Sequence, residues 1–224
     1  MSKVVAIVQA RTTSHRFPMK IFAGLGGRPL LAHVLERAAA IQGVDQVVLA
    51  VPENDVRLVA HLWPHVFGGS EKDVLGRYAK AAEKYEADMI VRITGDCPLL
   101  AVDIAADAVE MFGSCREGYL PVCQPYEDVA DGWDVEIFGI LDLVEASMNA
   151  TKQEREHVTT WMRQGVGIED ASFPMPLGDF RALKCSVDTR DDLRRVEKIY
   201  ECLDDKTDFS HTATWKAWEK AGRP

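Results

Sequence analysis

Three cations, Arg11, Arg16 and Lys20, lie close together in the segment Gln9 to Lys20, directly after the apolar run Val4 to Val8. An arginine grips phosphate oxygens with a planar fork and a lysine supplies a mobile point charge, while the residues between them offer hydroxyls and backbone N–H groups. A run of Val and Ile bounded by polar residues has the composition of a strand covered on both faces, and ligands of open α/β sheets bind where such strands end. These residues suit the holding of a polyanion; spacing alone allows a solvated basic loop just as well. A second candidate is Gly95-Asp96-Cys97-Pro98, after the apolar run Met89 to Ile93. A carboxylate released from the ladder by Gly and Pro suits magnesium, which uses one or two carboxylates and completes its shell with water and substrate phosphates. A helix cap or turn is the simpler reading of a lone aspartate after a strand.

The elements that must position these groups alternate between strand and helix patterns, as in a mostly parallel sheet layered by helices. Leu30, Leu31, Val34, Leu35, Ala38 and Ile41 recur at helical spacing, and Gln46 to Val51 reads as a second buried strand. Val56, Val59 and Ala60 mark another helix. Ser70, with Asp73 three residues on, predicts a capped helix running through Leu75, Tyr78 and Ala82. Met89 to Ile93 is a strand, followed by a helix through Ile104, Ala108 and Phe112. Residues 115–137 read as an excursion closing over the site and ending in a strand, Val135 to Phe138. Helices are expected near 139–149 and 155–164, then a strand from Leu183 to Val187 and a helix from Asp191 to Leu203.

Composition narrows the class. The 224 residues carry 35 acidic against 26 basic side chains, a net charge of -9, which argues against nucleic acid as the partner. The cysteines, Cys97, Cys115, Cys123, Cys185 and Cys202, are odd in number and unpaired in spacing; they read as reduced thiols of a cytoplasmic protein. The histidines are too scattered for a structural zinc site. The N-terminal apolar run is shorter than a signal peptide and no run approaches a membrane span, so the expectation is a cytoplasmic chain with no membrane partner.

Taken as a pattern, Q-A-R-x-x-S-x-R-x-P-x-K at residues 9–20, with Leu25-Gly26-Gly27-Arg28-Pro29-Leu30-Leu31 and His33-Val34-Leu35-Glu36-Arg37 after it, resembles the opening of the sugar-acid cytidylyltransferases. It is similar in particular to the spore-coat polysaccharide F-like branch, which is related to the CMP-Kdo and CMP-neuraminate synthetases. G-D-x-P-L at 95–99, V-D-T-x-x-D-L at 187–193, the segment Gly69 to Tyr78, D-G-x-D-V-E at 131–136 and Glu154 to Thr159 also match, so the resemblance runs from Val4 to about Tyr200. Two positions depart from the family: Met19 stands where Gly is common and Phe17 where Leu is. Gly tolerates backbone geometries and close approaches that Met does not.

The resemblance implies a Rossmann-like three-layer α/β/α nucleotide-diphospho-sugar transferase fold in one domain, 1–224. In it, 115–165 would be a sugar-side or dimerisation excursion. It implies attack of the anomeric hydroxyl of an acidic 2-keto sugar on the α-phosphorus of CTP, with pyrophosphate leaving, for surface polysaccharide synthesis. Gln9, Ala10, Arg11, Ser14, Arg16, Lys20, Ser70, Asp73 and Asp96 would then hold the nucleotide, with Arg11, Lys20, Asp96 and Asp188 catalytic. Asp96 and Asp188 would share Mg2+, although D-T-x-x-D also reads as a helix N-terminal box in which Asp188 caps while Asp191 and Asp192 serve the helix dipole. Ser70 and Asp73 are equally explained as caps. Asp131, Asp134 and Glu136 would meet sugar hydroxyls; holding the metal and a solvated loop are the other readings. His157 is a further site candidate, against a lone structural histidine at a charged helix start. Residue types point to no separate general base. Trp161, Trp215 and Trp218 could form a homodimer interface or pack on their own domain. The rival functions are a nucleotide-sugar-dependent glycosyltransferase, which usually binds metal through a D-x-D pair that this chain lacks, and a weakened nucleotide-binding sensor.

Overall fold

The structure, a computed structural model, describes residues 2–115, 118–122, 128–165 and 180–224; Cys123 and part of the 115–137 segment lie outside them. In chain order the elements are β1 Val4–Gln9, the small hairpin β2 Gly24–Leu25 and β3 Arg28–Pro29, α1 Leu30–Ala40, β4 Gln46–Pro52, α2 Val56–Val59, β5 Val66–Gly69 and α3 Val74–Lys84. Then come β6 Met89–Thr94, α4 Val102–Cys115, β7 Tyr119–Val122, β8 Val135–Gly139, α5 Ile140–Asn149, α6 Met162–Gly165, α7 Arg190–Cys202 and α8 His211–Lys220. Single 3-10 turns stand at Lys20–Phe22, Glu53–Asp55 and Glu154–Glu156.

Six strands form one sheet in the order β5-β4-β1-β6-β8-β7. The first four are parallel, β8 runs antiparallel to β6, and β7 antiparallel to β8. This is the expected mostly parallel Rossmann-like α/β architecture. Side chains of a strand alternate between faces, and both faces of β1 are covered. Val4, Ala6 and Val8 enter a core with α1, α4, α7 and α8, whereas Val5 and Ile7 enter a second core with α3 and α5. A central strand in that position must be apolar at every residue, which is why Val4 to Val8 shows no alternation. The Tyr78 hydroxyl of α3 donates to Ile7 O at 3.0 Å, tying the second layer to the sheet.

The segment 119–149 supplies β7, β8 and α5 to the main layers. Other expectations are corrected. Residues 155–164 are not one helix: the turn Glu154–Glu156 stops at His157, whose backbone (φ -118°, ψ 67°) is not helical, and α6 starts only at Met162. Leu183 to Val187 is no ladder strand. It makes one parallel bridge, Lys184 to Asp131, because its N–H groups are taken by loops: Cys185 and Ser186 donate to Asp131 O at 2.6 and 3.2 Å, and Val187 to Asp96 O at 2.9 Å. Asp73, not Ser70, caps α3, its carboxylate accepting from Gly76 N at 2.8 Å, while Ser70 Oγ accepts from Asp73 N. The C-terminal aromatics turn inward on α8, which the pattern did not reveal. Trp218 is buried, Trp215 stacks 4.7 Å from it, and Phe180 meets Trp215 at 5.1 Å. The outward face of α5 instead exposes Leu141, Val144 and Met148.

Candidate active site

The sheet order reverses at β1: β4 and β5 lie on one side of it, β6 and β8 on the other. Loops leaving β1 and β6 therefore splay apart, opening a crevice at the carboxyl ends of the two strands. The loop after β1 is fixed by buried polar contacts. Thr12 donates from N and Oγ1 to the Asp55 carboxylate at 2.9 and 2.7 Å, and Met19 N donates to Thr12 O at 2.9 Å. The turn closes with Met19 in the left-handed region, φ 60° and ψ 19°. The backbone geometry that explains a Gly is thus present, and Met adopts it under strain. The Met19 side chain is largely exposed and does not line the cleft.

The closing turn drives Lys20 inward. Its Nζ donates to Asp96 Oδ2 at 2.7 Å, Val187 O at 2.9 Å and Asp188 Oδ1 at 3.0 Å. Arg16 Nη2 reaches the other Asp188 oxygen at 2.7 Å. Burial alone would depress the Lys20 pKa, but the Asp96 and Asp188 carboxylates outweigh it and raise it. Burial would raise Asp96, and the Lys20 ammonium reverses that and holds it below the ordinary value. Both groups are ionised at neutral pH.

Two local features bring these residues together. Gly95 N donates to Gln9 O at 2.8 Å, and a Cβ at Gly95 would lie 2.9 Å from both Ala10 Cβ and Gln9 O, so only glycine lets the loops of β1 and β6 approach this closely. At α7 a capping box forms between Thr189 and Asp192. Thr189, not Asp188, is the cap, and Asp192 is its reciprocal partner rather than a dipole charge alone. The Asp188 carboxylate is left to face the crevice.

The resulting cleft, about 310 Å3, is lined by Gln9, Ala10, Arg11, Ser14, Arg16 and Lys20 on the loop side, and by Arg77, Thr94, Asp96, Asp188 and His157 around it. Arg11 is exposed there. The Gln9 side-chain oxygen and the Arg77 Nε are buried and have no partner among the described residues, so an acceptor and a donor in the cleft wall are unused by them. Ser70 and Asp73 do not line it. Instead the Asp73 carboxylate takes a fork of two 3.0 Å hydrogen bonds from Arg155, latching the 154–156 turn, and with it His157, over the far wall.

A second cavity of about 280 Å3 adjoins the first and shares Thr94, Asp96 and Asp188 with it. Asp131, Asp134 and Glu136 all line it. Gly132 between them has φ 100°, and a Cβ there would lie 2.5 Å from Ser186 N. Glu136 is buried and fully engaged: it pairs with Arg92 and with Arg163 (2.7 Å), and accepts from the hydroxyls of Tyr119 and Thr159 (2.8 Å). Burial pushes its pKa up, but the Arg92 and Arg163 guanidiniums prevail and hold it at about 2. Asp134 has the opposite balance. Burial dominates, outweighing the hydrogen bond from Gly132 N at 2.8 Å, and its pKa is pushed up to about 6.

Sequence reasoning missed Asp55, which anchors the loop after β1 from the turn that follows β4, and Arg92 and Arg163, which pair with Glu136. Asp55 carries no local signal; Arg92 stands out as the one charge in the run Met89 to Ile93.

A nucleotide-sized cleft and an adjoining acceptor cavity at the switch point of a Rossmann-like sheet define a group-transfer enzyme of the nucleotidyltransferase class. Residues 5–212 match the cytidylyltransferase family model, and the chain belongs to that family. It is 32% identical over 210 residues to an uncharacterised protein of Methanocaldococcus jannaschii (90% of this chain, 85% of that one). It is 27% identical over 221 residues to the spore coat polysaccharide biosynthesis protein SpsF of Bacillus subtilis (94% and 91%). A 3-deoxy-manno-octulosonate cytidylyltransferase of Anaeromyxobacter is 36% identical over 124 residues (53% and 48%). Among solved structures, a cytidylyltransferase from Leptospira borgpetersenii superposes with a TM-score of 0.88 at 28% identity, covering 100% of this chain and 96% of that one. CMP-2-keto-3-deoxy-manno-octonic acid synthetase in complex with CTP shares the fold, with a TM-score of 0.63 at 16% identity and coverage of 89% and 99%.

Proposed function

We propose that the protein transfers a cytidylyl group from CTP to an acidic 2-keto sugar of the nonulosonic or Kdo type, releasing pyrophosphate, in the synthesis of a surface polysaccharide. The observation that carries this reading is that the two cavities share Asp96 and Asp188, the carboxylates paired with Lys20, with a basic loop on one side and Asp131, Asp134 and Glu136 on the other. The triphosphate lies along Arg11, Arg16 and Lys20, whose charge offsets that developing on the leaving pyrophosphate. The unused acceptor of Gln9 and donor of Arg77 suit the nucleoside, whose cytosine edge offers an amine donor beside ring acceptors.

The donor set also fits magnesium. Asp96 and Asp188 supply two hard carboxylates, close enough that one Lys20 ammonium bonds to both, and among the described residues no third carboxylate, His or Cys joins them in a metal-holding group. That is the ligand count of a cation that takes its remaining ligands from phosphates and water. When bound, Mg2+ neutralises phosphate charge and aligns the α-phosphate.

In the acceptor cavity, the sugar hydroxyls meet Asp131 and Asp134. Glu136 keeps Arg92 and Arg163 in place, and these two guanidiniums are the cationic groups of this cavity that a sugar acid would meet. Asp134 takes the proton from the attacking hydroxyl. Asp96 is already paired with an ammonium and is a weak base, whereas Asp134 makes no ion pair among the described residues and its pKa is pushed up to about 6.

The test is pyrophosphate release with Mg2+, each NTP in turn and a panel of Kdo-type and nonulosonic acids. Release that requires CTP and one acid is the expected result. CTP binding without release by any acid would refute the reading in favour of a nucleotide sensor; turnover of a CMP- or UDP-sugar would refute it in favour of a glycosyltransferase.

A further inference from the structure

A third cavity of about 450 Å3 lies away from the reaction cleft and shares no residue with it. Its walls come from β3, α1, the C-terminal half of α7 and the segment before α8. At its floor is Arg37, an α1 residue only 2% exposed. The Arg37 guanidinium lies 4.5 Å over the Phe209 ring and donates from Nη1 to Leu100 O at 2.7 Å. Its Nε and Nη2 donors meet no acceptor among the described residues, and no carboxylate there is within ion-pair distance. Asp208 and Asp103 favour its charged form from beyond ion-pair distance, Asp103 being paired with His211 at 2.6 Å and Asp208 accepting from Ser210 N at 3.0 Å. Burial pushes the Arg37 pKa down only to about 10, so the charge is present at neutral pH.

A buried guanidinium with no ion-pair partner is costly, because carboxylates beyond contact offset its desolvation only in part. The rest of the lining brings no anion into contact with it. Arg28 and Glu36 cancel each other through two hydrogen bonds of 2.8 and 2.6 Å. Lys206 is held by backbone carbonyls at the end of α7, including Leu203 O at 2.7 Å, and by no carboxylate among the described residues. His33 is kept neutral by burial, with Nε2 hydrogen-bonded to Leu25 O at 2.8 Å. Arg37 and Lys206 thus make no ion pair among the described residues, and the Tyr200 hydroxyl beside them makes no hydrogen bond to a described residue.

We propose that this cavity is a binding site for a small molecule carrying an oxyanion, a phosphate or a carboxylate, which completes the Arg37 donors and pairs with Lys206. The aromatic walls of Tyr200 and Phe209 provide the apolar part of the site. It is independent of the reaction proposed above and stands or falls separately from it.

The test is NMR of the Nε–H resonances in 15N-arginine-labelled protein, with the Arg37 signal assigned by its disappearance in Arg37→Lys. Inorganic phosphate and acetate are titrated separately. A saturable shift of the Arg37 resonance is expected with at least one of them, persisting in Lys20→Ala, where the reaction cleft is weakened. Lys206→Ala, an exposed change that spares the core, should weaken binding roughly two- to fivefold. Saturation by phosphate alone identifies a phosphate-bearing ligand, and saturation by acetate alone a carboxylate. No saturable shift with either anion, or a shift abolished by Lys20→Ala, overturns the proposal. If Arg37→Lys does not fold, the same titrations are followed through the Lys206→Ala difference, and identical affinities in wild type and Lys206→Ala then overturn it.

Discussion

Replacing Asp134 by Asn should make the protein more stable and nearly inactive at once. In the folded protein the Asp134 pKa is raised from its ordinary 3.8 to about 6 by burial. A group raised in this way contributes stability that is fully present below pH 3.8 and is lost as the pH rises through 6. Above that, the folded state carries a desolvated carboxylate that the unfolded chain solvates freely. At 1.36 kcal/mol per pKa unit the penalty at pH 7.5 is about 3 kcal/mol, and the partial exposure of the side chain reduces it to about 1–3 kcal/mol. Asn keeps an oxygen for Gly132 N–H and carries no charge, so Asp134→Asn should recover most of this. In a domain of this size that is a rise of roughly 2–12 °C in Tm. The advantage should fall to about half by pH 5, where the wild-type carboxyl is mostly protonated when folded. The same substitution removes the proposed base, so kcat should drop by about two to four decades and the acidic limb of the pH–rate profile near 6 should vanish. Urea melts at pH 7.5 and 5, paired with a pyrophosphate-release profile, make the comparison. Unchanged stability at pH 7.5 would refute the desolvation argument, and retained turnover would refute the assignment of Asp134 as base.

Lys20→Ala removes the ammonium shared by Asp96 and Asp188 and should lower kcat by about two to three decades, read from steady-state pyrophosphate release. Asp55→Ala leaves the buried N–H and hydroxyl of Thr12 without their acceptor; it should cost about 1–3 kcal/mol in denaturant unfolding and raise the KM for CTP more than it lowers kcat. Met19→Gly relieves a left-handed backbone and should raise stability by up to about 1 kcal/mol with little change in rate; a loss of stability would show that Met19 packs in a way its exposure conceals. Gly95→Ala forces a Cβ against Ala10 and the Gln9 carbonyl, for which about 1–3 kcal/mol of destabilisation is expected, and circular-dichroism melts suffice to read it.

Much of the architecture was legible because the layers impose their periods on the chain. β1, β4 and β6 showed as apolar runs since both of their faces are covered, and α1 and α3 showed as 3.6-residue stripes since only one face is. The failures share a cause. Leu183 to Val187 has strand composition, but its hydrogen bonds go to the loops at Asp96 and Asp131, which lie far away in sequence. The 155–164 stretch has helical spacing, but the Arg155 fork to Asp73 and the break at His157 hold it as turns. At α7 the sequence allows Asp188 either to cap the helix or to face the crevice, and only the capping-box geometry, with Thr189 as the cap, separates the two.

The sequence by itself determined which residue types were available for phosphate, metal and sugar chemistry, where the strands carrying them end, and that Met19 stands at a position suited to glycine. These are local properties, set by residue identity, short-range periodicity and turn chemistry. The tertiary structure alone decided that Lys20, Asp96 and Asp188 share one point, that Asp73 is a latch rather than a cleft residue, and that Glu136 is neutralised while Asp134 is not. Those outcomes depend on charges and donors brought together across the sheet from distant parts of the chain, and on which of them water still reaches.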